Sequence, residues 1–102
     1  MAKKLSVKSR EEILTLLMKN KSAFEKQFKV RRLALFGSYA RGDQGPDSDV
    51  DILVDIDPSV GLEFVTLADQ IEQLLGLSVE LVSLRAIKPS HLRYIEQDLI
   101  YV

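Results

Sequence analysis

Cysteine is absent from the 102 residues, and histidine occurs once, as His91. Without cysteine the chain has no disulfide, no thiolate metal site and no thiol nucleophile. A single histidine cannot build a histidine-rich zinc site. Long apolar runs are missing too. No stretch approaches the length of a bilayer span, and no apolar segment follows the first lysines as a secretory signal would require. No membrane partner is therefore expected, and the default compartment is the cytoplasm. Internal repeats, low-complexity segments and a long linker are also lacking.

What is there suits one small domain spanning residues 1–102, with a modest core and no room for a second catalytic domain. Net charge is −1, but its distribution is uneven. Residues 1–32 carry ten Lys/Arg against three Glu, and residues 33–102 carry four against twelve Asp/Glu. Such a basic start can serve an acidic partner or simply form a solvated helix face. It lacks interleaved aromatics and any recognised motif, so direct nucleic-acid binding is not expected.

Residues 1–8 are polar and read as loose. Ser9 followed by Glu12 is a capping-box pattern, and Ile13, Leu14, Leu16, Leu17 and Phe24 recur at helical spacing over residues 9–27. Ser22 with Glu25 is a second cap pattern, so a break near Asn20 is open. Residues 30–36 read as a strand, and Gly37 punctuates it. Ser38 then caps a short helix, and Gly45-Pro46-Asp47 marks a turn. Residues 50–56 form the next strand. Phe64, Leu67, Ala68, Ile71, Leu74 and Leu75 give a helix one apolar face, with Gly76 as its C-cap. Residues 77–83 make a third strand, Pro89 starts a last helix, and residues 100–102 are a short apolar tail with no room for further structure. Helices alternating with strands predict a small α/β (α+β) domain with its sheet backed by helices. Its core lies over residues 30–83, flanked by the first helix and by the helix and tail at residues 89–102.

The stretch Ser48-Asp49-Val50-Asp51-Ile52-Leu53-Val54-Asp55 sets acids into an otherwise apolar strand. Strand side chains alternate faces. Asp49, Asp51, Leu53 and Asp55 therefore share one face, and Val50, Ile52 and Val54 pack against helices from the other. Asp49 and Asp51 lie about 6.6 Å apart along the strand, close enough for their carboxylates to converge. Like charges that near repel unless a cation or a proton intervenes. Mg²⁺ suits them, being a hard ion that takes one or two carboxylates and completes its shell with phosphate and water. Gly37-Ser38 precedes them at a strand-to-helix junction, where amide N–H groups can cradle phosphate. Arg41 lies one turn on, placed to reach a phosphate or to pair with Asp43 or Asp47. A nucleoside triphosphate with Mg²⁺ satisfies both ends of this loop.

Gly37-Ser38, followed after ten residues by Asp49-Val50-Asp51, with Leu-Phe before it, Tyr-Ala-Arg-Gly after it and an apolar strand on each side, resembles the signature of the polymerase-beta-like nucleotidyltransferase superfamily. In its fuller form it is similar to the minimal nucleotidyltransferase (MNT) proteins. The likeness covers residues 30–83 and extends more weakly to the C-terminal segment. It implies a small mixed sheet backed by helices and one or two divalent ions held by Asp49 and Asp51. It also implies a third acid on a neighbouring strand, for which Glu80 is the match. Glutamate where the family usually has aspartate is a departure. A longer arm that misplaces the reacting groups by about 1 Å costs on the order of a hundredfold in rate.

The resemblance further implies transfer of AMP from ATP to a hydroxyl of a partner, with the chain as antitoxin to a helical HEPN toxin. The alternative is a protein that neutralises its partner by binding, with little or no turnover. Around this cluster, Asp55 reads as a rim acid and Tyr39 as packing on the sheet. Arg85 and Lys88 are placed to steer polyphosphate or to serve as surface charge. Tyr94, Tyr101 and His91 suit a partner surface. Self-association is left open.

Overall fold

The computed structural model describes residues 9–102. The basic residues of the 1–8 segment, read above as loose, lie outside them. Helix α1, Arg10–Phe28, opens on the expected capping box: the Glu12 N–H donates to Ser9 Oγ at 3.1 Å, and the Ser9 N–H donates to Glu12 Oε1 at 2.8 Å. Ser9→Ala is expected to cost about 1 kcal/mol, readable as a lower midpoint in urea melts. The helix does not break near Asn20, whose side-chain amide donates to the Leu16 carbonyl at 2.8 Å; Ser22 lies inside an unbroken helix and caps nothing. Lys29 ends it in the left-handed conformation, at φ 58°.

Strand β1, Val30–Phe36, leads into a four-residue helix α2, Ser38–Arg41. Strand β2, Val50–Ile56, follows, then helix α3, Glu63–Leu75, closed by Gly76 as expected. Strand β3, Val79–Ser83, helix α4, Pro89–Ile95, and strand β4, Ile100–Tyr101, complete the chain. Pro89 occupies the first turn of α4, where its missing N–H costs nothing.

The sheet runs β3-β2-β1-β4. The β1–β2 pair is antiparallel, β2–β3 is parallel across the α3 connection, and β4 lies antiparallel on β1. That last strand corrects the reading of residues 100–102 as a tail without structure. Ile100 pairs with Leu35 and Tyr101 with Ala34, and the Val102 N–H reaches the Leu33 carbonyl at 3.0 Å. The free edge of β1 supplies the reason: its unpaired N–H and C=O groups are satisfied by even two more residues.

The two faces of the sheet differ. Val50, Ile52, Val54 and Ile56 face α1 and α3 in one continuous core with Ile13, Leu17, Leu67 and Ile71. A register shift between Val30 and Arg32 lets Val30 and Leu33 join that side. On the other face Ala34, Phe36 and Leu53 lie in a smaller cluster with Ile95 of α4. Helix α4 thus covers the middle of this face, and the acids stand at its two ends. At the outer edge, Glu72 of α3 accepts the Val79 N–H at 2.9 Å. No helix among the described residues is long and apolar enough to cross a membrane.

Candidate functional site

The acids of β2 divide between those two ends. Asp55 is opposite Arg32 in the β1 register and accepts from its Nε at 3.3 Å and its Nη2 at 3.2 Å. Arg85 Nε stands 3.8 Å from the other carboxylate oxygen. Asp55 is therefore the rim acid expected, held between two guanidinium groups, and Arg85 is engaged with it. Arg32 also lies over the Tyr101 ring, 5.9 Å from its centroid.

Asp51 is at the opposite end and is half-buried. Its strand neighbours are Phe36 on β1 and Glu80 on β3, so the register sets the two carboxylates side by side on one face. Burial is the main influence on Asp51, followed by the negative charges of Glu80 and then Asp49; Arg41 pulls the other way. Together they push its pKa up to about 6 from an ordinary 3.8. Tyr39 of α2 is almost wholly buried in the core on the other face, with Ile13, Leu17 and Val50, and its phenol pKa is raised by burial and then by the Asp49 charge. Asp49 itself is exposed, just before the strand.

Gly37 fixes the approach of the loop to this cluster. It adopts φ 77° and ψ −154°, a backbone region open essentially to glycine alone. A Cβ at this position would fall on Asp51 Oδ2 and lie 3.0 Å from Cγ. The chain therefore passes directly against the carboxylate because residue 37 has no side chain. Gly37 also occupies the cap position of α2, with no side-chain cap, so Ser38 is the first residue of the helix rather than its cap.

Arg41 closes α2 and is anchored by two acids. Its Nε donates to Asp43 at 3.1 Å and its Nη1 to Asp98 at 2.8 Å. Asp43 is one of the two expected partners, and Asp98 rather than Asp47 takes the second place. Nothing local in the sequence marks Asp98, which lies 57 positions away in the turn after α4. The helix is also held from α1, where Arg10 Nη1 donates to the Ala40 carbonyl at 2.9 Å.

The structure thus brings together Gly37, Asp51 and Glu80 by contact and register, Asp49 by charge, and Ser38 and Arg41 on α2. His91 and Tyr94 are exposed on α4. Among the described residues, no group of three or more Asp, Glu or His side chains is disposed to hold a metal ion by itself. The arrangement is a pair of facing carboxylates with a glycine-lined approach, open to a ligand that brings further oxygens.

Residues 17–102 match the nucleotidyltransferase domain family. The protein adenylyltransferase MntA of Thermococcus cleftensis is 42% identical over 94 residues, which cover 90% of this chain and 94% of that one. A Methanocaldococcus jannaschii protein provisionally named a protein adenylyltransferase is 43% identical over 101 residues, covering 94% of this chain and all of the relative. Among solved structures, one provisionally described as a minimal nucleotidyltransferase superposes with TM-score 0.80 at 29% identity, covering 94% of this chain and 98% of that one. A toxin–antitoxin crystal structure with AMP-PNP superposes with TM-score 0.66 at 28% identity, covering 90% of this chain and 70% of that one.

Proposed function

The chain belongs to the nucleotidyltransferase family, in its minimal MntA-type branch, and on that premise we propose that it transfers AMP from ATP to a hydroxyl of a partner protein, as the antitoxin of a HEPN-type toxin. One observation carries the chemistry: Asp51, with Glu80 beside it in register and Gly37 pressed against its carboxylate. The relatives carry the acceptor. They include proteins named as protein adenylyltransferases and complexes named as toxin–antitoxin pairs.

Asp49 and Asp51 would hold the divalent ion, and their chemistry fits one. A half-buried carboxylate and an exposed one that repel each other are suited to a hard cation that completes its shell with triphosphate oxygens and water. Mg²⁺, when bound, offsets the charge on the triphosphate and on the attacking and leaving oxygens. Gly37 lets the triphosphate run close to the chain, and Ser38 contributes a hydroxyl and the first amides of α2. Arg41 braces the outer phosphates. Glu80 orients the acceptor hydroxyl and takes its proton. The acceptor oxygen bonds to the α-phosphorus as the bond to pyrophosphate breaks.

A label-transfer assay tests this. Protein, Mg²⁺, α-³²P-ATP and a candidate HEPN partner are mixed, with Asp49→Asn/Asp51→Asn run alongside. Label is expected on the partner with wild type and not with the double variant. No label with any of the four nucleotides, while the double variant still neutralises the partner, would leave the second reading, a binding antitoxin. Glu80 in place of the customary aspartate is the feature that favours that outcome.

A further inference from the structure

We infer that Asp98 is a positioning residue of the nucleotide site, acting through Arg41; this rests on the nucleotide-site reading above and deepens it. The Arg41 guanidinium is held at two of its three nitrogens, Nε by Asp43 and Nη1 by Asp98. Its Nη2 has no partner among the described residues. A planar fork fixed on two sides presents its remaining N–H groups in one direction. That guanidinium is close enough to Asp51 for its charge to be felt there.

The two acids are not equivalent. Asp43 is two residues from Arg41 in an exposed loop, with its side chain 61% accessible. Asp98 is 20% accessible and forms the shorter bond. Its backbone is fixed from several directions. The Asp98 N–H donates to the Ile95 carbonyl at 2.9 Å, Ile95 is buried against Ala34, Phe36 and Leu53, and Ile100 pairs with Leu35. Asp98 is thus a fixed post carried by the sheet, whereas Asp43 sits in an exposed loop beside Arg41 itself. The C-terminal α4–β4 turn thereby sets the aim of a side chain on the phosphate-side helix.

A partly exposed ion pair adds little to stability, so this role is read in ligand binding. The experiment measures the affinity of Mg²⁺ with a fluorescent, non-hydrolysable ATP analogue for full-length wild type, Asp98→Asn, Asp98→Glu, Arg41→Ala and the Arg41→Ala/Asp98→Asn double variant. Thermal melts are taken for each. Asp98→Asn is expected to weaken binding about tenfold with Tm unchanged within about 2 °C. Asp98→Glu is expected to recover most of the loss. Asp98→Asn is expected to add nothing once Arg41 is alanine. Wild-type affinity in Asp98→Asn, or the same loss in both Arg41 backgrounds, overturns the inference while leaving the nucleotide site intact. A wild type that binds no analogue overturns the nucleotide-site reading, and this inference with it.

Discussion

Asp51→Asn is expected to lower transfer by more than about a hundredfold and, in the absence of metal, to make the protein more stable. The two effects share a cause. The fold raises the pKa of Asp51 from 3.8 to about 6, chiefly by burial and then by the Glu80 and Asp49 charges. The native state therefore binds the Asp51 proton more tightly than the unfolded chain does. Ionising the group costs the fold free energy, absent below about pH 3.8, growing between there and pH 6, and complete above. The shift corresponds to a ceiling of about 3 kcal/mol. Solvent reaches this side chain, which reduces the figure to roughly 1–2 kcal/mol. At pH 8 the variant should melt roughly 5–10 °C above wild type, with the gain vanishing in melts near pH 3.5. Added Mg²⁺ should raise the wild-type Tm and leave that of the variant nearly unmoved. Equal melting temperatures at pH 8 would remove the claim that this carboxylate is held under strain. Because the proton and the cation compete for one group, raising Mg²⁺ should also move the acid limb of the activity profile to lower pH.

Gly37→Ala is the second large effect. The backbone at this residue costs a non-glycine residue about 1–3 kcal/mol by itself, and the new methyl group falls on the Asp51 carboxylate. A total destabilisation of about 3 kcal/mol is expected, together with a loss of transfer of about a hundredfold as Asp51 is driven from its place. Denaturant melts of both single variants and of Gly37→Ala/Asp51→Ala separate strain from contact. The cost of Gly37→Ala should fall by about 1 kcal/mol when residue 51 no longer carries a carboxylate. Additive costs would mean that the backbone conformation alone excludes alanine. A Gly37→Ala protein with wild-type activity would show that close passage of the chain past Asp51 has no part in the chemistry.

Much of this architecture was legible in the residues because it rests on local signals. Residues 30–36, ending in the apolar run of residues 33–36 before Gly37, give β1 to the residue, and the alternation in residues 50–56 assigns each side chain of β2 to its face. Leu67, Ile71 and Leu75, four apart, mark the buried stripe of α3. Glu80 could be singled out because it interrupts an apolar strand, and the parallel register does place it beside Asp51. What escaped was non-local or steric. Strand β4 exists because β1 has an edge to fill, which two residues of tail cannot announce. Asp98 sits in an ordinary polar turn and acquires its partner only when α4 folds across the sheet. The Asn20 break failed because a good cap pattern, Ser22 with Glu25, lies within a helix whose buried Phe24 and Phe28 continue the stripe of Ile13 and Leu17. Gly37 read as punctuation and as part of a phosphate cradle, whereas its contact with Asp51 depends on the antiparallel pairing of β1 with β2.

The Glu72 carboxylate on the Val79 N–H has a consequence for how the protein behaves in concentrated solution. Strand β3 borders the sheet, and a bare border is a template on which another chain can lay a strand. Its first outward N–H is already occupied, by a charged group that a newcomer would have to displace and strip of water. The sheet is thus closed to growth at this corner by a side chain rather than by another strand, and molecules meeting edge to edge encounter a negative charge where they would otherwise find an open hydrogen-bond donor.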